Sequence, residues 1–85
     1  MILSNWGDNM SIEEQIGKKI RYRRKELKIT QEGLAFMTNL SRQYISDIEK
    51  GRKSMTISTL EKIKIALKVK YNYFFSISSG SEANS

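Results

Sequence analysis

Residues 30–51 read TQEGLAFMTNLSRQYISDIEKG, and the spacing inside them restricts the chain more than any other stretch does. Counted from Gln31 as position one, Ala35 stands fifth, Asn39 ninth, Ile45 fifteenth and Ile48 eighteenth. A small side chain at the fifth position lets two helix backbones cross closely. Asparagine at the ninth tolerates the positive φ of a tight turn. The two isoleucines anchor a second helix from beneath. Thr30 and Ser41 are of the type that caps helix N-termini, and Gly51 suits the left-handed conformation beyond a helix end. With Leu40, Ile45 and Ile48 turned inward, helical periodicity sends Arg42, Gln43 and Ser46 outward on the first turns of the second helix.

The flanking segments carry the same signals and predict helices only. Ser11 followed by Glu14 is a capping box, and Ile16, Ile20 and Leu27 follow at near-helical spacing, so a first helix is expected over 12–27. Leu34 and Ala35 form the inward face of the second helix. Thr56 caps a fourth, with Ile57, Leu60, Ile63, Ala66 and Leu67 on its apolar side, and YNYFF at 71–75 makes a short fifth. No proline, repeat or linker divides them. The expected organisation is a flexible arm at 1–9, one compact all-α domain at 10–76 and a flexible tail at 77–85.

The composition narrows the chemistry. Eighty-five residues are enough for one core and no large cleft. There is neither cysteine nor histidine, which excludes disulfides and thiolate–metal sites and removes the commonest general base. No apolar run approaches a membrane span and no secretory leader is recognisable, so a soluble cytoplasmic protein is expected. All 15 lysines and arginines lie between Lys18 and Lys70, where only Glu26, Glu32, Asp47, Glu49 and Glu61 oppose them, leaving that stretch at +10. Such a body attracts polyanions, and nucleic acid is the commonest. An enzyme is not expected: Glu13 and Glu14 suit a helix first turn, and no phosphate loop, metal-ligand spacing or nucleophile with its base is present. No cofactor is expected either. The rival reading is a protein-binding module of antitoxin type whose hydrophobic tail clamps a partner.

Through IGKKIRYRRKELKITQ, LA, LSRQYISDIEKG and TLEKIKIALKV, from Ile16 to Phe75, the chain resembles the Cro/repressor-type, lambda-repressor-like helix-turn-helix family. The segment RKSMTISTLEKIKIAL is most similar to the controller proteins of restriction-modification systems. The resemblance implies five helices, a homodimer formed through the fourth and fifth, pseudo-symmetric double-stranded operators, RNA polymerase as a further candidate partner, and no small-molecule effector. It also implies that Arg24 pairs internally with Glu49, and that regulation follows protein concentration; a phage-type repressor is the alternative. Lys28 and Asn39 stand where the family commonly has glycine, Gly33 where it has a good helix former, and Arg23 where it has an apolar residue.

The candidate site follows from these readings. Arg42 is suited to guanine O6 and N7 and Gln43 to adenine. Tyr44 and Ser46 complete the base-reading set, although Tyr44 also suits a mixed role, its ring packed on the second helix and its hydroxyl aimed at a phosphate. Gln31, Lys50, Arg52, Lys53 and Ser54 are candidates for phosphate contacts, Gln31 alternatively as a brace for the reading helix. Lys18, Lys19 and Arg21 add long-range attraction. Tyr71, Tyr73, Phe74, Phe75 and Ile77 crowd the end of a domain too small to bury them all and are the expected dimer interface. The competing reading is that Phe74 closes the monomer core.

Overall fold

Among the described residues every helix except the last starts on a hydroxyl-bearing cap. The computed structural model describes residues 10–75 and contains, among them, five helices and no strand: α1 (Ile12–Glu26), α2 (Gln31–Thr38), α3 (Arg42–Glu49), α4 (Ile57–Leu67) and α5 (Tyr71–Phe75). The expected arm, the tail and Ile77 lie outside the described residues. Ser11 accepts from the Glu14 amide while Glu14 accepts from the Ser11 amide, so the predicted capping box closes at both ends. Thr30, Ser41 and Thr56 accept from the amides of Gly33, Tyr44 and Thr59 in the same way. Each such bond satisfies one of the amides a helix start leaves open.

The helix ends are equally local. Asn39 takes φ +60° as the turn requires, and so do Lys28 (+60°) and Lys68 (+59°), two side chains that gain nothing there. Gly51, at φ +73°, follows α3. Gly33 has a compensation for its poor helix propensity. A Cβ there would stand 3.2 Å from the capping hydroxyl of Thr30 and 3.3 Å from a methyl of Ile29.

The core is built from one face of each helix: Ile16 and Ile20 of α1, Leu34 and Ala35 of α2, Ile45 and Ile48 of α3, Leu60, Ile63 and Leu67 of α4, and Phe74 of α5. At Gly17, α1 approaches the backbone of α3 closely. An ideal Cβ on Gly17 would lie 2.3 Å from the Ile48 carbonyl oxygen and 2.7 Å from that of Glu49. Arg23 resolves its departure from an apolar residue by reaching across to α4. Its Nε donates to the Leu67 carbonyl at 3.0 Å, satisfying a helix-end acceptor, while Nη1 pairs with Glu26 at 3.2 Å.

Two expectations about the C-terminal helices are corrected. Phe74 is buried in the monomer core and is not available to a partner. Tyr73 is half-buried edge-on to Phe74, its hydroxyl donating to the Lys19 carbonyl while Lys19 Nζ donates to the Tyr73 carbonyl. Burial lowers the Lys19 pKa and raises that of Tyr73. A helix of five residues has to place something inward to stay attached, and these two rings do so. Ile57, assigned above to the apolar side of α4, is 72% exposed, as is Ile65 at 63%.

Candidate nucleic-acid interface

α3 is held so that its first two turns have one free face. Ile45 and Ile48 are buried below, and the Gly17 contact fixes the end of the helix. Arg42, Gln43 and Lys50 remain exposed. Ser46 does not join them: it is buried at 8% exposure, which corrects the expectation that it faces outward to read bases. The close approach at Gly17 buries the flank of α3 that carries Glu49, and Ser46, three residues earlier, lies on that same flank. An eight-residue helix packed on both α1 and α2 has a narrower free face than periodicity alone suggests.

Behind the exposed face runs a continuous polar chain. Arg24 and Glu49, both buried, form the bidentate pair the resemblance implies, with Nε to Oε2 at 2.6 Å and Nη2 to Oε1 at 3.0 Å. The Arg24 Nη1 donates to the Ile29 carbonyl at 2.9 Å. Glu49 Oε1 also accepts from Gln31 Nε2 at 3.1 Å, and Gln31 Oε1 then accepts from Arg42 Nη1 at 3.1 Å. An ionised carboxylate only accepts, so Glu49 fixes which end of the Gln31 amide faces it. The other end is thereby left as the acceptor that Arg42 uses. Of the two roles open to Gln31, the geometry provides the brace.

Gln43 is held within α3 itself, its Nε2 donating to Asp47 Oδ1 at 3.1 Å. Tyr44 is half-buried against the core, and its hydroxyl is directed at the Ser54 carbonyl at 3.4 Å. Its ring therefore packs, while its hydroxyl reaches the loop after α3. In that loop Lys50, Arg52, Lys53 and Ser54 are all exposed. Two contacts seat the loop on the start of α1. Gly51 presses so closely on Glu14 that a Cβ would meet its Cγ at 2.5 Å, and the Ser54 hydroxyl donates to Glu13 at 3.4 Å. The Arg52 amide donates to the Asp47 carbonyl at 2.9 Å, tying the loop to α3 as well. The result is one surface on which an arginine, a glutamine and three further cations face the same solvent. Among the described residues no cluster of acidic side chains is arranged to hold a metal ion, and no helix is long and apolar enough to cross a membrane.

A separate apolar strip lies on α4 and α5. Ile57, Ile65, Tyr71 and Phe75 are all exposed there. The Tyr71 hydroxyl donates to Glu61, a bond that is the leading cause of its raised pKa, and Lys64 Nζ sits 5.0 Å from its ring centre. Of the expected interface residues only Tyr71 and Phe75 therefore stay available among those described. Sequence reasoning misses Ile57 because it reads into the inward stripe of α4, and it gives Ile65, which lies off that stripe, no role.

Comparison with known proteins agrees with this geometry. A family model described as Helix-turn-helix (HTH_3) matches residues 20–74. The immunity repressor protein of Bacillus phage phi105 is 48% identical over 52 residues, covering 61% of this chain and 36% of the repressor. The chain thus spans only about a third of that relative. The control protein C.BamHI of Bacillus amyloliquefaciens is 44% identical over 54 residues, covering 62% of this chain and 67% of that protein. The restriction-modification controller protein C.Esp1396I, solved as a tetramer with its natural 35 base-pair operator, superposes with a TM-score of 0.70 at 37% identity, covering 79% of this chain and 88% of that one. With its matched segment running from α1 to α5, the chain belongs to the Helix-turn-helix family.

Proposed function

We propose that the protein is a transcription regulator that binds duplex operators as a two-fold dimer, with α3 in the major groove. The observation that carries this is the placement of Arg42 on the first turn of α3. A helix N-terminus is an unfavourable place for a cation, yet Gln31 and Glu49 hold one there, aimed away from the core. That arrangement is of use to an external hydrogen-bond acceptor such as a guanine edge. The loop cations Lys50, Arg52 and Lys53 then meet the backbone on either side of the contact. The affinity of the purified protein for duplex DNA is expected to fall linearly on a log–log plot against salt, with a slope of about −0.9 per neutralised phosphate. Lys53→Ala weakens all sequences alike, whereas Arg42→Ala costs about 1–3 kcal/mol on the preferred site and relaxes one position per half-site. A salt-independent affinity defeats the proposal.

Dimerisation is assigned to the exposed strip of α4 and α5. Ile57, Ile65, Tyr71 and Phe75 form an apolar surface that a single copy leaves in water, and a two-fold pairing buries it twice. Ile65→Glu, at a site exposed in the monomer, is expected to leave the helical signal intact and convert a sedimenting dimer to monomer. Wild-type protein that sediments as a monomer at high micromolar concentration contradicts the assignment.

The mode of regulation we propose is that of the restriction-modification controllers, with protein concentration as the input. C.Esp1396I binds its natural operator as a tetramer, so assembly beyond a single dimer on an operator has a precedent in a relative. Promoter output against titrated protein is then expected to rise and fall, with two successive complexes in gel shifts. The similarity to an immunity repressor supports the second reading, simple repression, for which output declines monotonically with a single complex.

A further inference from the structure

Asp47 is a carboxylate on the reading helix of a protein whose surface there is otherwise basic. Half-buried, it lies one turn beyond Gln43 and just before the loop that carries Lys50, Arg52 and Lys53. Among the described residues it is in no ion pair, and it lies on the face proposed to meet polyphosphate. A free anion in that position opposes binding to every sequence. What it does hold is Gln43, whose Nε2 donates to Oδ1 at 3.1 Å.

We infer that Asp47 is a positioning residue for base recognition: it locks the Gln43 amide in the orientation that reads adenine. The chemistry follows from counting donors and acceptors. An ionised carboxylate accepts only, so the Gln43 nitrogen and not its oxygen must face Asp47. The amide nitrogen has two hydrogens, of which Asp47 takes one. One N–H and Oε1 remain, and adenine N7 and N6 require one donor and one acceptor. A glutamine without this hold rotates its amide and offers either end to any base edge. The carboxylate adds a second discrimination, because guanine presents two acceptors, O6 and N7, which a nearby anion disfavours. The charge thus lowers affinity in general while raising selectivity at one base pair, which is a form of specificity achieved by penalising the wrong partner.

The inference rests on the duplex-binding reading above, and the test separates the two. Wild-type protein is used to select bound sequences from random duplexes, and affinities are then measured for the best duplex and for its single-base variants. Wild type is expected to prefer adenine at one position per half-site, a preference that Gln43→Ala removes. In Asp47→Ala the ratio of adenine to guanine at that position is expected to fall about tenfold, within the range for one bidentate contact, while affinity for random duplex rises. Asp47→Asn keeps an acceptor without the charge, and is expected to retain most of the preference while sharing the gain on random duplex. An Asp47→Ala protein with the wild-type ratio, or one that loses affinity equally on all sequences with its thermal midpoint unchanged, overturns the positioning role. No measurable duplex binding by wild type instead removes the reading on which it depends.

Discussion

Gly17→Ala is expected to cost more than about 3 kcal/mol, beyond the usual range for adding a methyl to a packed core. The added carbon would stand 2.3 Å from the Ile48 carbonyl oxygen, 2.7 Å from that of Glu49 and 2.9 Å from the Glu49 carbonyl carbon. All three are backbone atoms of α3, so no side chain can swing aside. Relief requires α1 and α3 to separate, and that separation breaks two things at once. It uncovers Ile16, Ile20, Ile45 and Ile48, four of the ten core side chains, and it pulls apart the Arg24–Glu49 pair that spans the same two helices. A domain of this length has a total stability of roughly 5–10 kcal/mol, so the loss takes a large part of it. Urea unfolding followed by helical circular dichroism is the measurement, with Gly33→Ala as the comparison. A Cβ at Gly33 meets only side-chain atoms, at 3.2 and 3.3 Å, and is expected to move the midpoint little in either direction. A Gly17→Ala protein with the wild-type midpoint would show that α1 shifts along α3 without penalty.

The contrast between these glycines shows which features a sequence exposes. Caps are legible because the residue and the amide it accepts from lie three positions apart, and Ser11, Thr30, Ser41 and Thr56 all sit where the pattern puts them. The turn at Asn39 is legible for the same reason. Gly17 is not, because within α1 it looks like a weak helix former, and its necessity arises only when α3 crosses 31 residues later. Ser46 shows the converse limit. Its position in the helical period points outward, but burial is decided by how much of α3 its two neighbours cover, and that depends on how close Gly17 lets them come. Phe74 and Ile57 exchange expected places for a related reason. A hydrophobic count says that the C-terminal third has more apolar surface than one core accepts, yet it does not say which side chains stay outside. Lys68 adopts a left-handed φ with nothing in its side chain to favour it, so only the backbone reveals it, whereas Lys28 does the same at a position where the resemblance leads one to expect glycine.

Glu49→Ala is expected to cost about 3–5 kcal/mol, the amount typical of leaving one member of a buried ion pair without the other. Arg24 would keep its bond to the Ile29 carbonyl and lose both bonds that neutralise its charge. The double variant Arg24→Met/Glu49→Leu removes the charge as well as its partner, and buried pairs replaced in this way by apolar side chains commonly lose little stability. Its unfolding midpoint is therefore expected to return close to that of wild type. Recognition is not expected to return with it. In the double variant Gln31 Nε2 has no carboxylate to face, nothing fixes the direction of its amide, and Arg42 loses an acceptor of settled orientation. Affinity for the preferred duplex is then expected to fall about tenfold, equivalent to about 1.4 kcal/mol, while affinity for random duplex, which depends on Lys50, Arg52 and Lys53, stays the same. The comparison separates two roles that the single variant confounds. If the double variant is stable and discriminates as wild type does, the buried pair serves folding alone, and the chain from Glu49 through Gln31 to Arg42 carries no information to the bases. If it is stable and discriminates poorly, the charge buried beneath the reading helix is retained because it sets the direction of the one arginine placed to read a base.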